Sequence, residues 1–382
     1  MMMINMNVKN NKKARPGVAL LVVLFIVMAI TILSLGFVSR SDVELACGQN
    51  MILRTEMDYL AESGLEHARG LVLNPQDVSS EYWTGATAQQ LVAGSGDYYN
   101  LVVVRDDTDP TDRCNYIIDC NSYRLQGADT IGRSSIRAKL RLDPCIAYWV
   151  GSSTTVSSAM IINGDVYCDG DLINNSVIGI GGDVFATGTI SGTNITGQKN
   201  ESVASVPVAW PNLPVADFAP TYNIGSTSYS AHQIVDVNIP TSTGVWYSTG
   251  DVNMPGGVTI NGTLVVDGTL RVSGLNNVIT AEKNFPALVV TGEVIMENGG
   301  SLVIQGLAQI GQGVSIDAGA ASANIDVIGG LFIALNGITS NLISVNITAA
   351  PAIASIETWP TADTATRWRP AAGAFYRSIE RK

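Results

Sequence analysis

Two histidines and five cysteines are the scarce reactive side chains of this 382-residue chain. An acyltransferase built on a six-residue repeat needs a general-base imidazole in the groove between subunits. His67 and His232 both lie outside the six-residue groups described below. Carboxylates are better placed. Asp106, Asp107, Asp109 and Asp112 crowd around Pro110 and offer hard oxygen ligands as a candidate calcium set. No Gly at the sixth position and no Glu at the twelfth completes an EF-hand loop, and a solvated acidic turn before proline is the plainer reading. Asp165, Asp171 and Asp183 each follow a glycine. Carbohydrate-active β-helix enzymes need carboxylates aligned on one face, but turn chemistry explains an Asp after Gly equally well, and no Lys or Arg accompanies these three. The expectation is no catalysis and no cofactor, calcium being the one candidate ion. Cys114 with Cys120, or Cys145 with Cys168, are candidate disulfides. Cys47 is left over, and a buried free thiol accounts for it as well as any pairing.

Composition narrows the partners. Charged residues make up 14% of the chain, against about 25% in an ordinary soluble protein. The net charge of -11 supplies no basic field to displace counterions from phosphate, so nucleic acid is excluded as a general partner. The 38 glycines keep no three-residue period, which excludes collagen.

The elements that must carry these residues begin with an apolar run. Lys9, Lys12, Lys13 and Arg15 precede an uncharged stretch from Val18 to Ser39, long enough to cross a bilayer as a helix. The basic flank orients the N-terminus to the cytoplasm. The stretch is too long for a cleavable secretory signal. Leu45-Ala46-Cys47-Gly48 has the look of a lipoprotein box, but Arg40, Asp42 and Glu44 separate it from the apolar run. Val43, Cys47, Leu53, Met57, Leu60, Gly64, Ala68 and Leu71 continue a helical stripe. One helix from Val18 to Leu71 would be roughly 80 Å long.

Arg15-Pro16-Gly17-Val18-Ala19-Leu20-Leu21-Val22 and the later Ala61-Glu62-Ser63-Gly64-Leu65-Glu66 resemble the N-terminal region of PilX-type minor pilins and of the K-type pseudopilin of type II secretion. The resemblance covers roughly residues 10–72. It implies a leader removed by prepilin peptidase after Gly17, with Val18 as a methylated new N-terminus. It also implies a subunit–subunit contact along Val18, Leu21, Val22, Phe25, Met28 and Leu35. Other pilin or pseudopilin subunits, prepilin peptidase and the bacterial inner membrane are the implied partners. The bulk would then be periplasmic or displayed outside in a pilus-like filament. The sequence departs from the family at Val22, where most pilins carry a glutamate that neutralises a neighbour's terminal amine. In the family that absence goes with a tip subunit. An unpaired buried ammonium is costly.

Beyond the helix, Tyr98–Val104, Tyr116–Ile118 and Ser135–Leu142 read as strands, as a small pilin-like sheet requires. After Cys145 the chain is nearly charge-free and repetitive. Gly164-Asp165-Val166, Gly170-Asp171-Leu172, Gly182-Asp183-Val184 and Gly188-Thr189-Ile190 are followed, after an interruption, by Gly250-Asp251-Val252, Gly262-Thr263-Leu264 and Gly268-Thr269-Leu270. Spacings of six or twelve residues suit the faces of a triangular β-solenoid with glycine at the corners. Pro207, Pro211, Pro214 and Pro220 mark an excursion.

The predicted architecture is therefore mainly β. It has a leader (1–17), a transmembrane and projecting helix (18–72), a pilin-like α+β region (73–145), a β-helix or solenoid (146–350) with an excursion at 203–240, and a tail (351–382) capping the last coil. The predicted function is a structural minor pilin or pseudopilin displaying the solenoid. The alternatives are a membrane-anchored adhesive or scaffold that never assembles and, behind it, a carbohydrate-active β-helix enzyme.

Overall fold

The computed structural model describes residues 16–73, 82–218, 221–224, 227–233, 243–282, 285–354 and 370–381. The chain is mainly β with one long N-terminal apolar helix and a β-solenoid. It divides into two compact units, Met1–Tyr59 and Leu60–Lys382. Helix α1 runs Pro16–Leu73. The leader before Pro16 lies outside the described residues.

In the second unit the last turns of α1 bury Ala61, Leu65, Ala68 and Val72, the spacing that puts one stripe on one helical face. A five-stranded antiparallel sheet is formed by β1 (Gly85–Gln89), β2 (Asp97–Arg105), β3 (Asn115–Gln126), β4 (Asp129–Leu142) and, on the far edge, Ala374–Arg381. Strand β1, with only one strongly apolar stretch beside it, has no clear alternation to announce it in the sequence. The inner face presents Tyr99, Leu101, Val103, Ile118, Cys120, Ile136 and Leu140. Gly64 seats the helix here: a Cβ would lie 2.5 Å from Cys120 Sγ and 3.0 Å from the Tyr99 ring. Arg124 and Arg137 each clasp the residue directly opposite, Asp97 and Asp119, through two nitrogens, a bidentate geometry that fixes register.

The tail corrects the sequence reading. Ala374–Arg381 caps no coil; it pairs with β4 along its whole length, and Arg381 reaches Glu62 on α1 at 2.5 Å. The solenoid is thus inserted between two neighbouring strands of one sheet. Trp359, Arg367, Trp368 and Arg369 lie outside the described residues.

The early coils repeat every eighteen residues, as Asp165 to Asp183 and Asp171 to Thr189 show, whereas later coils are longer: Leu264 lies beside Leu288 and Leu302 beside Ile325. The early coils have three short parallel strands, for example Asp165–Cys168, Leu172–Asn174 and Gly179–Ile180, whereas later coils carry longer ones such as Ser301–Ile310 and Ala323–Ile333. Alternate side chains fill the lumen, among them Val166, Leu172, Val184, Leu264, Val290, Ile304 and Ile347.

The coils are not stacked in chain order. The first strand, Ile146–Val150, pairs on one side with Asp165–Cys168 and on the other with the late strand Ala323–Ile333. Likewise Met160–Asn163 pairs with Ile343–Ala349. The array therefore begins in its middle, runs to one end near Lys199–Asn200, and restarts at the other end with Thr243–Ser248. It winds back until its last coil abuts its first. The excursion joins the two ends. Residues 203–218 lie against the outer face of the solenoid as a strap whose Val208, Leu213 and Phe218 are buried against Trp149, Tyr167, Val265, Val289 and Phe332. Trp149 donates its indole N–H to the Val208 carbonyl at 3.2 Å and stacks near Trp210 at 4.9 Å and Phe332 at 6.2 Å. Part of the excursion is regular: Thr221–Ile224 and Thr227–Gln233 form a hairpin whose second strand joins Thr243–Ser248.

Candidate functional site

The first unit offers one feature. From Val18 through Val38 the side chains of α1 are exposed, including Val18, Leu21, Val22, Phe25, Met28 and Leu35. An 18-residue window there has a mean hydropathy of 3.1 and no buried residue. Such a surface is stable only against lipid or other apolar helices. Gly17 and Val18 both lie inside the helix. Cys47 is an exposed free thiol, which corrects the buried reading.

The second feature is the neck where sheet and solenoid join. The outgoing chain, residues 143–146, and the returning chain, residues 370–373, are hydrogen-bonded together: Asp143 N–H donates to the Gly373 carbonyl at 3.0 Å and Ile146 N–H to the Pro370 carbonyl at 2.8 Å. Cys145 forms an isolated bridge with Ala371 and a disulfide with Cys114. That pairing replaces both predicted ones. Cys120 and Cys168 are buried thiols, each pushed up to about 12 by burial, so neither is a reactive thiolate at neutral pH.

The recurring aspartates turn out to be structural. Asp171 accepts the Thr189 amide at 2.7 Å, Asp183 the Gln198 amide at 2.7 Å, and Asp251 the Thr269 amide at 2.7 Å. Each carboxylate fastens the next coil, and the glycine of that coil passes directly over it. A Cβ on Gly268 would stand 2.7 Å from Asp251 Oδ1. The Gly-Asp spacing is thus a stacking device, with no convergence of carboxylates.

Asp165 carries the heaviest duty. It is 2% exposed, accepts the Cys145 amide at 2.6 Å and the Asp183 amide at 2.8 Å, and so ties the neck to two coils. Burial pushes its carboxyl up to about 6, against the downward pull of the two amides, while Asp183 and Asp143 add repulsion. The folded chain therefore holds this proton where the unfolded chain, at about 3.8, has released it. Stability from this group is greatest below about pH 4 and is lost as pH rises through about 6, by on the order of 3 kcal/mol at most. The wild type is expected to lose unfolding free energy across that window relative to Asp165→Asn, which has no proton to release. Parallel denaturation curves for the two across pH 4–7 would contradict it.

The calcium candidates are not brought together. Asp107 pairs with Arg105 at 2.6 Å, Asp109 accepts the Thr111 hydroxyl at 2.6 Å, and Asp106 accepts the Thr108 hydroxyl at 2.7 Å and faces Lys139 at 3.3 Å. Asp112 pairs with Arg141 and accepts from Asn115 at 2.8 Å. Among the described residues no three His, Cys, Asp or Glu side chains form a metal-holding group. His67 lies 3.0 Å from the Tyr99 hydroxyl and beside Trp83, a polar contact within an aromatic cluster. His232 sits on strand Thr227–Gln233, opposite Trp246.

No protein-family model matches the chain, and no curated protein matches it. Among solved structures it is similar to the competence-associated pilin ComZ from Thermus thermophilus, at 10% identity over 87% of this chain and 98% of that one, with a TM-score of 0.27. A superposition that loose carries no argument about function.

Proposed function

We propose that this chain is a structural subunit of the minor pilin or pseudopilin kind, anchored and assembled through α1 and carrying the solenoid as cargo. The observation that supports it is α1 itself: a 58-residue helix with an apolar exposed start and a C-terminal stripe seated on an antiparallel sheet. A plain anchor needs only the first of these; a subunit that packs helix to helix needs a long rod of this kind. The sheet accepts the large insertion between neighbouring strands. No step of chemistry is asked of the chain.

Photo-crosslinking tests assembly. With a photoreactive residue at Phe25 or Met28 in the native host, the expected adducts are to the apolar helices of other pilin-like subunits. Adducts to lipid alone would favour the unassembled anchor.

A further inference from the structure

The permuted order of the coils leaves a mark on one face of the solenoid. Where the last coil meets the first, two faces are closed by regular ladders, Leu331–Ile333 on Tyr148–Val150 and Val345–Thr348 on Met160–Asn163. On the third face the ladders stop. One four-stranded column ends at Gly313–Ile316, extended only by a bridge from Val314 to Ile338, and a three-stranded column begins at Thr154–Val156. Among the described residues no ladder joins them.

Two contiguous hollows, of about 300 and 480 Å³, occupy this break and share Thr155, Ile338 and Thr339. Ser157, Asn175, Ser340 and Asn341 line one end, and Asn336 and Asp171 the other. The lining is hydroxyl and amide with one carboxylate, whose Oδ1 is already engaged by Thr189. No Lys, Arg or aromatic residue contributes. An anionic polymer would find no cation here and would meet Asp171. The closed ladders on both flanking faces hold the two coils at ordinary strand spacing. That is too close for an extended peptide to insert as a strand, which needs about 9.6 Å between its neighbours. A ligand therefore lies over the break and not between the coils. What the groove fits is an uncharged ligand with many hydroxyls. The hydroxyl edges of a sugar would meet Ser, Thr and Asn, and its C–H face would lie on half-exposed Ile173 and the exposed Thr155 and Thr339 methyls.

We propose that the seam groove binds a neutral, linear oligosaccharide. The reading is independent of filament assembly, because it is measured on the purified chain.

The test is calorimetric titration of the full chain in a detergent without a sugar headgroup. The probes are malto-, cello- and N-acetylglucosamine oligomers, with polygalacturonate and a neutral Ser/Thr-rich peptide as comparators. Saturable binding of at least one neutral series is expected. Paired Asn175→Ala and Asn341→Ala should weaken it about tenfold, since each removes hydrogen bonds. Ser340→Trp should abolish it by filling the groove, with the unfolding temperature unchanged in both variants. Failure of every neutral series to bind, binding indifferent to both variants, or preference for polygalacturonate or the peptide would overturn the proposal.

Discussion

Gly164→Ala is expected to destabilise the second unit by about 3 kcal/mol or more. Gly164 has φ +140°, a conformation that costs an alanine roughly 1–3 kcal/mol. It also stands at the joint between first and last coils: an added Cβ would lie 2.5 Å from the Ala349 Cβ and 2.9 Å from the Ala147 Cβ. Overpacking of that kind adds roughly 1–3 kcal/mol. Ala349→Gly in the same chain should recover the share of the steric cost that Ala349 imposes and leave the Ala147 contact and the backbone part, so the double variant should fall between wild type and Gly164→Ala in urea unfolding. This interaction exists only if residue 349 stacks beside residue 164. If the coils ran in chain order, Ala349→Gly would give no rescue.

Trp149→Ala carries the second large effect, about 3–5 kcal/mol, as expected for deleting a buried indole. The ring is 8% exposed. It touches Tyr167 on the next coil, Phe332 on the last coil and Trp210 on the strap, and its N–H is bonded to the strap backbone. Its loss therefore loosens three segments together. Besides the stability change, limited proteolysis should begin to cut within residues 203–218. A variant less than about 1 kcal/mol weaker, with the strap still protected, would show that the strap does not seal the joint.

Much of this was legible in the residues. The charge-free run from Val18 and the stripe through Ala68 specify α1 because a 3.6-residue period and twenty apolar residues have few other uses. The Gly-Asp-aliphatic spacing specifies coils because each coil must put a small residue over the previous corner and an aliphatic residue into the lumen. Gly64 is legible in the sequence as a member of the helical stripe and through the resemblance; its physical reason, contact with Cys120 and Tyr99, needs the sheet.

The order of the coils was not legible. Strand Ile146–Val150 would stack as readily on any coil of the same pattern, and nothing in its residues points to Leu331–Ile333 across the intervening chain. For the same reason the tail looked like a cap: Phe375, Tyr376 and Ile379 give an apolar strand without saying which edge it joins. The disulfide was misread because Cys114 and Cys145, thirty-one residues apart, are brought together only by the neck. The seam groove had no signal at all. Its serines, threonines and asparagines are ordinary corner residues until two distant coils set them side by side.

Mass spectrometry of the mature N-terminus, on protein isolated from its native host, tests the central claim most directly. The expected result is a chain beginning at Val18 with a methylated amine, since cleavage after Gly17 frees the helix for extraction from the membrane. A chain that retains Lys9, Lys12, Lys13 and Arg15 ahead of α1 would contradict it and leave a static anchor carrying the same solenoid.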